Sequence, residues 1–521
     1  MISLKSLPRL KGKASSKESK LQVESQPIEK IKFNSDLLKG DLFCQLTYMS
    51  SLATAELNRA QLFDYTARLG LSSSLYIRQI HFMAKKLNYD YSEACRIVGE
   101  KTKEAVPKAF LLRMSGAIAS GEDLAEFLKR EAYVSGEHYG EEYERNVESL
   151  KKWTDAYTAL IISASIVVVI SVVSMLIFPM SPTSISLLTF VMLVAVLLGV
   201  WILYRASPKE SKTHHLDQTS PAQMIARKVL LYVSVPLIAV TFPVLLFMNA
   251  GMGWGMVVIA LLLLPPGVFI MYDDRQIDKN DADIAGFLRS LGGISKVIGT
   301  TVTEAITRLD FGSLASLKKP VSRLNTALKF GIRPDLCWQK FVNETGSEQI
   351  NRSVRIFWDG IVVGGDPQKV GNQASMFAMK ISILREKRKM VSAGFSFLCI
   401  AMHATMAILL VGIYQIMLNF SQAMQKMSVT AGEGMQAISQ LPTFAFFADS
   451  SGPLTVLNMM VTAMLIMLTI TNPAAIKFVE GGHSYKYIFF LSIVMLVSGI
   501  SFVFVPDLVR GMFGTLPVGG K

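Results

Sequence analysis

The sequence lacks the usual signatures of catalysis. No phosphate-binding Gly-x-x-x-x-Gly-Lys-Ser/Thr run is present. The nearest approach, Gly99-Glu100-Lys101-Thr102, has a glutamate where the glycine before the lysine must stand, so the chain is not expected to hydrolyse ATP itself. Cysteine is scarce: Cys44, Cys95, Cys337 and Cys399 lie far apart, with no Cys-x-x-Cys, zinc or redox spacing. All four read as reduced, packed thiols. Gly251-Met252-Gly253-Trp254-Gly255 follows no strand and reads as a tight turn between membrane spans, not a dinucleotide loop. His214-His215 sits among lysines with no carboxylate set around it and reads as a solvated pair. No metal or cofactor is expected, and strand-like alternation is rare.

Long apolar runs are abundant. Of the 521 residues 51% are hydrophobic, and the mean hydropathy is +0.37, too apolar for an ordinary soluble surface. The apolar residues collect in blocks after residue 154. A span needs about 20 mostly apolar residues. Seven stretches qualify: Thr158 to Phe178, Ile185 to Tyr204, Val229 to Met248, Trp254 to Tyr272, Ala393 to Leu418, Leu454 to Ile470 and Tyr487 to Val505. The sixth is short, and Thr471-Asn472-Pro473 is expected to end it. The fold class is therefore all-α, a polytopic membrane protein.

The net charge of +13 admits a nucleic-acid binder or a membrane protein with basic inner faces. Its placement decides for the second. Lys151 and Lys152 precede the first span, and Arg205, Lys209, Lys212, Arg227 and Lys228 follow the second. Arg385, Lys387, Arg388 and Lys389 precede the fifth, while Lys477 and Lys486 flank the sixth and seventh. With seven spans these all fall on one side, which makes the N-terminus cytoplasmic and the C-terminus external. The opposite loop, 419–453, has one basic residue, Lys426. No nucleic-acid partner is expected. The first 39 residues form a Lys- and Ser-rich tail with no apolar signal core, and read as a solvated segment attracted to anionic lipid.

Residues 40–154 and 273–391 are the two polar stretches. Both read as cytoplasmic helical bundles, the first showing Ile77, Ile80, Ala84 and Leu87 at helical spacing. They also read as an internal repeat. Tyr76-Ile-Arg-Gln-Ile, Ser92-Glu-Ala-Cys and Ala117-Ile-Ala-Ser-Gly-Glu-Asp in the first match Val321-Ser-Arg-Leu-Asn, Asp335-Leu-Cys-Trp and Val362-Val-Gly-Gly-Asp-Pro in the second. Tyr76 to Gly121 is 45 residues, and Val321 to Gly365 is 44. Each copy ends in a glycine-acidic corner, a long helix and a span. The remaining blocks are four spans over 155–272, three spans with the 419–453 loop over 392–505, and a tail at 506–521. Gly121, Gly364 and Gly365 suit a helix–turn–helix corner, and Glu122, Asp123 and Asp366 suit the start of the next helix. The same carboxylates can also face a basic partner.

The Ser120-Gly-Glu-Asp-Leu-Ala-Glu-Phe-Leu segment, leading through a polar helix into a span, resembles the type II secretion F-domain family. The order of two such domains, four spans between them and three at the end looks like the archaeal platform group of archaella and type IV pili (FlaJ/ArlJ-like). The usual second glycine is absent after Glu122, and the second copy reads Gly-Gly-Asp-Pro. The resemblance implies a membrane platform that engages a hexameric secretion ATPase and draws pilin or archaellin subunits into a filament. It also implies a homodimer among membrane lipids, and ATPase docking at Gly121, Glu122, Asp123, Gly364, Gly365 and Asp366. The competing reading is a secondary transporter. That class carries repeats within its spans and polar breaks at the midplane, and here His403 is the single histidine in a span.

Overall fold

The computed structural model describes residues 33–55, 57–177, 182–214, 221–247, 251–299, 301–310, 312, 314–430 and 453–513. Among them there is no strand beyond one antiparallel bridge between Thr213 and Ser347.

Six helices build the first unit: α1 Leu38–Ala53, α2 Arg59–Ala67, α3 Ser74–Lys86, α4 Tyr91–Lys101, α5 Ala105–Ser120 and α6 Leu124–Ile177. Asn58 and Asp90 start α2 and α4 by accepting backbone N–H groups from Gln61 and Ser92, the usual role of a short polar side chain at a helix start. Then come α7 Pro182–Ala206, α8 Pro221–Val229 and α9 Val235–Phe247, the last two joined by a π-helical turn over Leu230–Ser234. The second unit is α10 Met252–Ile298, α11 Val302–Thr307, α12 Lys318–Lys329, α13 Pro334–Thr345, α14 Glu348–Val362 and α15 Pro367–Thr430. Helices α16 Pro453–Glu480 and α17 Lys486–Phe513 follow. The order and lengths of α1–α6 recur in the polar half of α10 through α15.

Among the described residues seven helices are long and apolar enough to cross a membrane: α6, α7, the α8–α9 rod, α10, α15, α16 and α17. Three of them, α6, α10 and α15, continue unbroken into the polar body. At 1.5 Å per residue the 54 residues of α6 reach about 81 Å, so bundle and polar body share rigid struts rather than flexible linkers.

Two cores result. The polar core is continuous across both units, from Leu42, Phe63 and Met114 to Phe287, Phe357 and Phe377. Helix α1 joins the halves. Phe43 packs on Phe377 with ring centroids 5.0 Å apart, Ser51 Oγ donates to the Ile356 carbonyl at 2.9 Å, and Tyr48 donates to Asp359 at 2.8 Å. The membrane core gathers apolar residues of α6, α7, α10 and α15–α17. Close approach depends on glycine where α10 meets its neighbours. A Cβ on Gly292 would come within 2.4 Å of the Pro367 carbonyl and 3.0 Å of Gly371, and one on Gly253 within 2.8 Å of Phe502.

Three expectations are corrected. The sixth span does not end at Pro473: α16 runs through it to Glu480. Ala475, Ile476 and Val479 beyond the proline are fully buried, so packing holds the helix where proline removes a backbone bond. Gly251–Gly255 is not a turn, because α10 starts at Met252 and Gly253 lies in its first turn as a contact surface for α17. The segment expected to leave the fifth span at 419 remains helical to Thr430; positions 431–452 lie outside the described residues. The four cysteines are free and buried.

Candidate functional site

The two glycine corners form by the same local physics and end in different surroundings. Gly121 closes α5 in the left-handed region at φ 72°. The Glu122 N–H then donates to the Ala117 carbonyl at 3.1 Å, a glycine-terminated helix end. Asp123 starts α6 by accepting from the Ala125 N–H at 3.0 Å, and Glu122 pairs with Arg130 at 2.8 Å. Gly121, Glu122 and Asp123 are all exposed.

The second corner is locked inward. Gly364 has φ 100°, and the Gly365 N–H donates to the Gly360 carbonyl at 2.9 Å. A Cβ on Gly365 would meet Oγ1 of Thr54, the residue that caps α1, at 2.7 Å. Asp366 accepts from the Gln368 and Lys369 N–H groups at 3.0 and 3.1 Å, and pairs with Lys296 of α10 at 2.5 Å. That hydrogen bond with Lys296 is the main cause holding its carboxyl below the usual range. The three residues of each corner come together with one another. The partners of the two corners lie in separate places, in α5–α6 for the first and in α1, α10 and α15 for the second.

A second constellation lies where the polar body meets the membrane bundle, and sequence spacing did not single it out. It centres on Ser207–His214, the segment that leaves α7. Arg388 of α15, 7% exposed, donates to the Val479 carbonyl at 3.0 Å, the Pro208 carbonyl at 2.9 Å and Ser207 Oγ at 2.7 Å. Arg385, one turn earlier, pairs with Glu210 and with Asp281 of α10, the latter at 2.6 Å. Lys212 bridges Asp274 at 2.9 Å and Asp278 at 2.5 Å. Lys486, at the start of α17 and 1% exposed, pairs with Asp274 and Glu480, each at 2.7 Å. His214 bonds Glu348 of α14 at 2.8 Å, and Glu348 shares Arg352 with Asp41 of α1, both at 2.9 Å. His214 is thus a packed, paired residue, which corrects its reading as solvated: the bridge to Ser347 and the His214 N–H bond to the Gly346 carbonyl hold it against α14. His215 lies outside the described residues.

The electrostatics suit a fastening. Burial would raise the Glu348 carboxyl, but His214 and Arg352 outweigh it and hold it at about 2. Burial likewise opposes ionisation of Glu210, and Arg385 overcomes it, leaving the carboxyl below its ordinary value. Arg388 is held by carbonyls and a hydroxyl, while Arg385, Lys212, Lys486 and Arg352 each face a carboxylate, so loss of one member of such a pair would leave an uncompensated charge costing about 3–5 kcal/mol. A cleft of about 50 Å³ beside Asp36, Glu210 and Arg385 has room for water but not for a nucleotide. Among the described residues no group of three or more His, Cys, Asp or Glu is arranged to hold a metal.

Within the bundle, His403 is fully buried. Tyr157 donates to Asn472 Oδ1 at 2.9 Å, which leaves Asn472 Nδ2 to donate to His403 Nδ1 at 3.1 Å. His403 Nε2 then donates to Ser498 Oγ at 2.7 Å. The network ties α6, α15, α16 and α17 without an ion. It places Asn472, beside the proline expected to break the span, at the centre of the bundle.

The chain is similar to Flagella accessory protein J. It is 22% identical to that protein from Methanocaldococcus jannaschii over 474 residues, which cover 88% of this chain and 82% of the relative. It is 21% identical to the Methanococcus voltae protein of the same name over 456 residues, covering 85% and 79%. No family model matches the chain, and no solved structure matches it. The likeness extends over polar units and spans together, so it concerns the whole architecture and not one module.

Proposed function

We propose that the chain is the membrane platform of an archaeal type IV pilus-like or archaellum assembly machine. It couples a cytoplasmic secretion ATPase to the insertion of pilin or archaellin subunits, and acts by assembly rather than catalysis. The observation that carries this reading is the likeness to two flagella accessory proteins over 88% and 85% of the chain. The three helices that pass unbroken between polar body and bundle support it, because force applied to the body reaches the membrane through them. The one-sided basic flanks support a cytoplasmic polar body and an external C-terminus. The buried junction around Ser207–His214 is the clamp that makes body and bundle move together.

In this reading the exposed corner Gly121, Glu122 and Asp123 faces the ATPase. Gly364, Gly365 and Asp366 brace the same end of the body by fastening α15 to α1 and α10. The platform acts as a homodimer in lipid. The transporter alternative has less support, because the polar network in the bundle is neutral and internally satisfied.

The test is binding. The full chain in lipid nanodiscs is titrated with the secretion ATPase encoded beside it. Saturable binding, weakened by Glu122→Lys with Asp123→Lys, is expected. An ATPase that does not bind the unaltered chain contradicts the proposal.

A further inference from the structure

The repeat places the same four-residue turn in both units, and each turn exposes apolar side chains that its own fold does not use. Leu87-Asn88-Tyr89-Asp90 joins α3 to α4, and Phe330-Gly331-Ile332-Arg333 joins α12 to α13. The second residue of each is left-handed, Asn88 at φ 54° and Gly331 at φ 73°. The first and third residues point outward in both. Leu87 is 55% exposed, Phe330 81% and Ile332 48%. A turn needs a left-handed residue at its second position; it does not need a phenylalanine in water beside it.

The two turns differ in charge. The first has Lys85 and Lys86 before it, ends on Asp90 and is followed by Glu93, so its charges balance. In the second, residues 318–340 hold six basic side chains, Lys318, Lys319, Arg323, Lys329, Arg333 and Lys340, against Asp335 alone. Arg323 is taken by Glu344, and Arg333 lies 3.9 Å from Asp335. Among the described residues no carboxylate pairs with Lys318, Lys319, Lys329 or Lys340, and all four are exposed. Leu336, in the first turn of α13, adds a third exposed apolar group beside them.

The hairpin points away from the lipid. Trp358, near the end of α14, donates to Asp335 at 2.9 Å, which fixes the turn beside the start of α15. From Pro367 to Lys389, the last basic residue before the apolar run, α15 rises about 33 Å. Lys329, Arg333 and Lys340, around the tip, are therefore out of reach of the bilayer their own chain occupies, whereas Lys318 and Lys319 stand at the other end of α12, where Ser316 bonds Asp283 and the Lys279 carbonyl of α10; the occupant the tip suits is a soluble protein.

We propose that the α12–α13 hairpin is a docking element for an acidic protein face, with Phe330 seated in an apolar socket and Lys329, Arg333 and their neighbours meeting surrounding carboxylates. A central aromatic anchor within a ring of steering charge is the arrangement that gives both hold and specificity. This rests on the platform reading, in which the protein presented to this end of the body is the secretion ATPase, and it adds an anchor of opposite charge to the Glu122–Asp123 corner. The matching turn at Leu87 has the shape, but Asp90 and Glu93 offset Lys85 and Lys86 there, and it is not part of the anchor.

The experiment is the same nanodisc titration with the purified ATPase. Phe330→Asp and Lys329→Glu are compared with the unaltered chain and with Lys101→Glu plus Lys103→Glu, an equal or larger charge change on exposed positions of the first unit. Both hairpin residues are exposed, and equal melting temperatures would show that the variants fold. The proposal expects at least a tenfold weaker Kd for each hairpin variant, less than a twofold change for the first-unit control, and weaker binding of the unaltered chain as salt rises. Hairpin variants that bind like the unaltered chain overturn the docking element and leave the platform reading standing, as does an equal loss in the control. Absence of binding by the unaltered chain overturns the platform reading and this proposal with it.

Discussion

Glu348 is held near pKa 2 between His214 and Arg352, against an ordinary value of 4.5. A depressed carboxyl stabilises the folded state above its unfolded value and loses that contribution as pH falls through the folded one. The fastening of His214 to α14 is therefore complete above about pH 4.5 and fades between 4.5 and 2, with a maximum of about 3 kcal/mol. Thermal unfolding in detergent, compared between the unaltered chain and Glu348→Gln, should show a gap at pH 7 that narrows below 4.5. A gap independent of pH would contradict the assignment. Gly121→Ala tests the exposed corner in isolation. Nothing lies within 4 Å of the added carbon, so the cost is the left-handed backbone alone, about 1–2 kcal/mol. A neutral result in chemical unfolding would show that the corner is not constrained. These corners were legible because glycine before an acidic residue has a specific local meaning. The Glu348 cluster was not, because Asp41, His214, Glu348 and Arg352 are brought together only by the fold.

Helices and spans could be read from sequence because apolar length and helical period are local properties. Pro473 shows the limit. Proline is a sound local stop signal, yet the buried Ala475, Ile476 and Val479 carry α16 past it, and which neighbours cover them is not written in the segment. Gly253 shows the same in reverse: a glycine that suggests a turn serves as a helix contact. The contact of α10 with α15 gives the prediction at this scale. Gly292→Val would force the α15 backbone away by ångströms, since the added atoms meet the Pro367 carbonyl and Gly371 rather than a flexible side chain. Loss of several kcal/mol is expected from overpacking against main chain, read as a drop in melting temperature and in yield of monodisperse protein. Gly293→Ala, one residue on, has open space around it and should stay within about 1 kcal/mol of the unaltered chain. Equal behaviour of the two would contradict the packing.

At the scale of the molecule, two polar stretches that read as successive units share one core across α1. The repeat was visible because its internal distances match. The fusion was not, since Phe43 and Phe377 lie 334 positions apart. A fused body on three continuous helices suits a part that transmits force as a unit. Under the proposed function, such a part is what would allow an ATPase and its pilins to become a filament. The most direct measurement is to delete the chain in its own cells, keep ATPase and pilins at normal levels, and count surface filaments by electron microscopy. The account predicts no filaments of that pilin, restored by the unaltered chain but not by a variant with Arg385 and Arg388 both changed to alanine, which removes the clamp on Ser207–Glu210 between the polar body and the bundle. Filaments of normal number and length in the deletion would contradict it.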